Sequence, residues 1–124
     1  MSINKTEHIT CLLGKTVKNI YINEDKEVIF HVKTNNRFND EVYKMFHEQD
    51  CCENVYLACI DGNLCDLIGE QLVVAECVSH SSETNDGSKT WTFYRFATTK
   101  GFVVLRWCGE SNGYYSESVD IVKL

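Results

Sequence analysis

Proline is absent from all 124 residues. The chain therefore has no slow X-Pro isomerisation and no proline-initiated turn, so its reversals must rest on Gly, Asn and Asp. No apolar run approaches the length of a transmembrane helix. The first residues, Met1 to His8, lack the apolar core of a signal peptide. Basic residues are few: 12 Lys and Arg against 18 Asp and Glu give a net charge of −6 and a pI near 5.1. That balance disfavours direct binding to nucleic-acid backbones, which takes clustered Lys and Arg. Also missing are a phosphate loop, a CxxC pair and any Cys/His doublet at zinc-finger spacing.

What is present is a hydrophobic fraction of 44%, enough for one domain over residues 1–124 with its own core. Residues 1–10 are left open as a flexible N-terminal extension. The 7 cysteines, with no secretory signal, read as reduced thiols in a cytosol, and the odd count leaves at least one unpaired. Cys59, Cys77 and Cys108 lie in apolar runs, where a thiol packs as a small hydrophobe. Cys51 and Cys52 sit among Asp, Gln and Glu and are expected to be the most accessible.

The pattern along the chain is of short strands and polar turns. Residues 16–23 are β-branched and aromatic, and Glu24-Asp25-Lys26 is a turn. Residues 27–33 alternate, with Val28, Phe30 and Val32 on one face. Residues 34–41 form a polar loop, and 42–47 alternate weakly. Residues 54–60 are apolar on both faces, the signature of a central strand. A short helix or 3₁₀ turn is expected at 63–68, stopped by Gly69. Residues 71–78 follow as a strand, and 79–89 as a mobile hairpin tip turning at Asn85-Asp86-Gly87. Residues 90–97 and 102–107 make the clearest hairpin, and 118–124 the last strand. The fold class is mainly β: a single antiparallel sheet, sandwich or open barrel with one short helix.

Two segments carry unusual chemistry. In Arg106-Trp107-Cys108-Gly109-Glu110-Ser111-Asn112-Gly113-Tyr114-Tyr115, a strand ends in Arg and Trp and breaks into a Gly/Ser/Asn loop presenting two tyrosines. These are side chains that stack on planar ligands and anchor interfaces. In His47-Glu48-Gln49-Asp50-Cys51-Cys52-Glu53, ionisable groups crowd around two thiols. Adjacent cysteines reach one tetrahedral zinc poorly, so no metal is assigned. Cys51 or Cys52 with His47 as base would need an oxyanion hole that nothing supplies, so no catalytic residue is assigned. Arg106 and Trp107 must face opposite sides of their strand, and Arg95 shares a face with Trp91. An Arg on an otherwise apolar face needs a carboxylate, such as Glu76 or Asp120, or a ligand.

Residues 47–55, 66–69, 90–101 and 106–120 resemble an uncharacterised family of small proteins from bacteriophages and prophages. Gln49-Asp50-Cys51-Cys52-Glu53, Thr90-Trp91-Thr92-Phe93-Tyr94 and Ser111-Asn112-Gly113-Tyr114-Tyr115-Ser116-Glu117-Ser118-Val119-Asp120 carry the likeness, which extends more weakly from about Leu13. The polar insert at 34–41 and Cys108 depart from its pattern. The resemblance brings no activity, cofactor or catalytic residue. It implies a phage or prophage origin and a place of action in the bacterial cytoplasm.

Together these features predict a non-enzymatic protein that counters a bacterial antiviral defence. One mechanism is capture of a small nucleotide-like signal by Arg95, Arg106, Trp107, Ser111, Asn112, Tyr114 and Tyr115, with His47 and Asp50 nearby. The alternative is direct binding to a host nucleic-acid-dependent defence enzyme, with Asp50, Glu53, Glu110 and Glu117 imitating phosphates. A metal- or thiol-dependent enzyme ranks third. No cofactor and no membrane contact are expected, and a homodimer is admitted.

Overall fold

The computed structural model describes residues 6–33 and 40–124. Nine strands are described: β1 (Thr6–Glu7), β2 (Val17–Ile22), β3 (Val28–Lys33), β4 (Asp40–Phe46), β5 (Asn54–Asp61), β6 (Val74–Thr84), β7 (Gly87–Thr98), β8 (Gly101–Ser111) and β9 (Asp120–Lys123). They form two antiparallel sheets, ordered β1-β9-β4-β3-β2 and β5-β8-β7-β6. Neither sheet closes on itself into a barrel. Among the described residues no helix is long and apolar enough to cross a membrane.

Alternation decides which side of each strand meets the other sheet. In β3, Val28, Phe30 and Val32 are all at 0% exposure, as their spacing predicts. Phe30 packs against Phe96 of β7 with ring centroids 5.5 Å apart, joining the two sheets through one apolar cluster. Trp107 of β8 is also in that cluster and donates its indole N–H to the Met45 sulfur of β4, at 3.1 Å. Two 3₁₀ turns, Ile9–Leu12 and Leu64–Leu67, add the buried Ile9, Leu12 and Leu67. The second is the short helix expected at 63–68, with the Asn63 side chain capping it by accepting from the Cys65 N–H.

The turns use the chemistry that a proline-free chain must use. Asn23 holds the β2–β3 reversal by accepting from the N–H groups of Asp25 and Glu27, and Lys26 sits there at φ 63°. The β6–β7 reversal is tighter than expected. Thr84 pairs with Gly87, so only Asn85 and Asp86 lie between the strands, and the segment read as a mobile tip is a continuous ladder. Ser81 and Thr90 add a cross-strand hydroxyl contact at 2.9 Å.

β5 was expected in the centre of a sheet and lies at an edge, hydrogen-bonded to β8 alone among the described strands. Its apolar character has two causes. Val55, Leu57 and Ile60 pack on the core cluster, while Tyr56 and Cys59 face outward. Residues 34–39 of the predicted polar loop lie outside the described residues, as do 1–5 of the segment left open at the N-terminus. From Thr6 the chain is paired: β1 bonds to β9.

Candidate functional site

The block after β4 folds around one carboxylate. Glu53 is 3% exposed, and a buried carboxylate needs several donors to stay charged. The Cys51 N–H reaches its Oε1 and the Asp50 N–H its Oε2, each at 2.9 Å. His47 approaches Oε2 at 2.8 Å through Nε2, and the Gln49 amide donates to Oε1 at 3.3 Å. The backbone N–H of Cys51, His47 and the N–H of Asp50 outweigh the effect of burial and hold the Glu53 carboxyl at a pKa of about 2. The tight succession of residues 49–53 is what aims two consecutive N–H groups at one side chain.

His47 carries this block to the second one. Its Nδ1 lies 2.7 Å from the Ser118 carbonyl, across 71 positions of sequence. The loop from Asn112 to Val119 is thereby tied to the turn at 47–53. A second carboxylate organises the loop itself. Glu117 accepts from the hydroxyls of Ser88, Thr90 and Ser111. Burial raises the Glu117 pKa, and the hydroxyls of Ser111, Ser88 and Thr90 more than reverse it, so the carboxyl lies below its ordinary range. Asn112 accepts from the Tyr114 N–H at 3.0 Å, and Tyr114 meets Tyr115 edge-on at 5.1 Å. Tyr114 is 84% exposed.

Between these segments lies a hollow of about 360 Å³ lined by His47, Glu48, Gln49, Asp50, Glu53, Ser116, Ser118 and Asp120. Its open walls are acidic. Asp120 is raised above the usual carboxylate range by burial, and the Glu48 charge adds to that against the opposing effect of His47.

The sequence-predicted site residues therefore divide into three places. His47, Asp50, Ser111, Asn112, Tyr114 and Tyr115 belong to the turn and loop just described. Arg95 and Arg106 lie on the outer face of the β5-β8-β7-β6 sheet, each beside a carboxylate: Arg95 is 3.4 Å from Glu76 and Arg106 is 2.6 Å from Asp61. Trp107 is 2% exposed in the core, so the expectation that it stacks on a ligand is corrected. The physical reason is parity: Arg106 faces out, so Trp107 must face in.

Other expectations change as well. Glu53 imitates no phosphate, because its oxygens are committed inside the turn. Cys51 and Cys52 are joined in a disulfide and are not reduced thiols. Of the apolar-strand cysteines only Cys108 is buried, while Cys59 and Cys77 are exposed. Trp91 and Phe93 stand half-exposed on the outer face of their sheet.

The chemistry of the turn is that of a clamp. Both nitrogens of His47 already face acceptors, and the two neighbouring sulfurs are bonded to each other, so no base–nucleophile pair is assembled here. Among the described residues no group of His, Cys, Asp and Glu is arranged to hold a metal ion. Sequence reasoning marked the two blocks separately and missed their junction at Ser118 and the participation of Asp120. Nothing in the local pattern signals a contact to a backbone carbonyl so far along the chain.

The chain belongs to the DUF7448 family, described as a domain of unknown function, whose match covers residues 10–121. No curated protein and no solved structure matches it.

Proposed function

We propose that this protein acts by binding another protein through the acidic end formed by the turn at 47–53 and the loop at 112–119. The observation that carries the reading is the clamp of His47 between Glu53 and Ser118, which fixes an ordered acidic hollow beside an exposed tyrosine. A pre-ordered loop loses little entropy on docking, and Tyr is an efficient anchor. Glu48, Asp50 and Asp120 suit a Lys or Arg side chain of a basic partner, and the net charge of −6 steers such a partner inward. The phage resemblance supplies the setting: the partner is a host nucleic-acid-dependent defence enzyme, and the protein is a non-enzymatic inhibitor of it.

Geometry lowers the rank of nucleotide capture. Arg95 and Arg106 are each engaged with a carboxylate on another face, and Trp107 is in the core, so among the described residues these three do not come together as phosphate clamp and stacking ring. The test compares the wild type with a Glu48→Lys/Asp50→Lys variant and with Tyr114→Ala, each checked for an unchanged melting temperature. The expected result is protection of phage on a defence-bearing host by the wild type alone, with salt-sensitive retention of one basic host protein. Calorimetric heat with cyclic or linear nucleotides, abolished by Arg106→Ala, would return the assignment to signal capture.

A further inference from the structure

Among the described residues, no element packs on the outer face of the β5-β8-β7-β6 sheet. Strand parity and register place Tyr56, Val78, Trp91, Phe93, Phe102 and Val104 on it. Tyr56, Val78 and Phe102 are exposed by 38%, 44% and 50%. Trp91 and Phe93 stack on each other with centroids 6.3 Å apart and planes 11° apart. An apolar, aromatic face of this extent is uncommon on a protein that works alone.

Its charges are balanced, unlike those of the rest of the chain. Lys89, Arg95 and Arg106 each meet one acid on the same face, Glu110, Glu76 and Asp61 respectively. Lys89 lies over the Trp91 ring at 5.3 Å and Arg106 over the Phe93 ring at 5.9 Å. Every cation here is thus held by an acid, an aromatic ring or both. The face sums to zero charge in a chain whose formal net charge is −6.

We infer that two copies of this chain meet through this face. A neutral surface with both signs interspersed can lie against its own copy without repulsion, whereas a strongly charged partner gains nothing from it. A single-stranded nucleic acid would find aromatic rings, but with cations already neutralised. The size also fits. Four strands at ~4.8 Å spacing and about nine residues at ~3.4 Å give a projected area of roughly 150 Å² per strand, or on the order of 600 Å² in all. That is of the same order as the ~800 Å² of accessible surface per partner in a stable pair, before side-chain relief is added. The residues involved are separate from the acidic end, so this inference and the proposed function stand or fall independently.

Sedimentation analysis from micromolar to submillimolar protein tests it. The wild type should dimerise, as should Tyr21→Glu, which alters an exposed residue of the other sheet. Val78→Glu/Phe102→Glu should raise the dimer dissociation constant by at least about tenfold, since like charges then face each other in a desolvated contact. A second readout needs no substitution. Cys59 lies on this face opposite Arg106, so its maleimide labelling should slow as protein concentration rises, while labelling of the exposed Cys65 on the Leu64–Leu67 turn should not. A monomeric wild type at all concentrations, a dimer indifferent to both charges, or Cys59 labelling independent of concentration would overturn the inference. So would binding of a fluorescent single-stranded oligonucleotide that the double variant loses.

Discussion

His47 Nε2 lies 2.8 Å from Glu53 Oε2, with the two side chains 5% and 0% exposed. The ring's other nitrogen faces the Ser118 carbonyl at 2.7 Å. The ring is thus held between two acceptors, a carboxylate and a backbone carbonyl. Removing the ring by His47→Ala leaves the carboxylate short of a donor and releases the loop end. The melting temperature should fall by several degrees, on the order of 5 °C or more. Amide exchange should rise at residues 112–119 while the β3 and β7 amides keep their protection. Loss spread evenly over both sheets would contradict a local clamp.

Acid sensitivity follows from the same carboxylate. Glu53 titrates at about 2 in the folded chain, below its ordinary 4.5, because the Cys51 N–H, His47 and the Asp50 N–H favour its charged form. Glu41 is likewise held at about 2, by Lys123 and then Lys15. A depressed folded pKa means that the unfolded chain binds more protons through this range, so stability rises with pH there. The contribution of each group is complete above about pH 5 and is lost as pH falls from 4.5 towards 2. Thermal melts between pH 7 and pH 2.5 should show a plateau followed by a steep decline. Glu53→Gln should lower the plateau and flatten the decline, whereas an unchanged slope would show that Glu53 does not carry the linkage.

How far the sequence was legible depends on the range of each contact. The alternation of Val28, Phe30 and Val32 is local, and the strand emerges as read. The opposition of Arg106 and Trp107 is also local, but which of them enters the core depends on where β4 brings Met45. That information is spread across the chain, and Trp107 was accordingly assigned to a ligand and not to the core. β5 was misplaced because exposed edge residues such as Tyr56 look as apolar as buried ones. The two blocks of unusual composition were visible at once. Their union through Ser118 was not, since a backbone carbonyl leaves no mark in the residue pattern.

Trp107 and Arg106 are neighbours with opposite expected costs. Trp107→Ala removes a large side chain from the centre of the core and strands the volume between β8 and β4. Chemical denaturation should show a loss of about 3–5 kcal/mol. Arg106→Ala breaks an ion pair whose side chains are 48% and 43% exposed, and should cost no more than ~1 kcal/mol. A large loss for Arg106→Ala and a small one for Trp107→Ala would mean that the faces of β8 are reversed.

Gly109 leaves room for the loop to lie against the sheet at Glu117. A Cβ built there would stand 2.8 Å from the Glu117 Cβ and 2.9 Å from the Glu117 carbonyl oxygen. The limit is one of space, because the obstructing atoms include backbone that cannot swing aside. Gly109→Ala should therefore push Glu117 away from Ser88, Thr90 and Ser111. That would leave three hydroxyls without their shared acceptor and move the Tyr114–Tyr115 edge. The expected outcome is a loss of about 1–3 kcal/mol, with chemical-shift changes centred on residues 111–118. If the acidic end is the binding surface, the same variant should lose binding at temperatures where it is still folded. Val104→Ala on the outer face makes the companion test, because it trims a half-exposed side chain far from the loop. Binding that survives Gly109→Ala with the loop displaced would separate the ordered loop from recognition and leave it a purely structural seal on the sandwich.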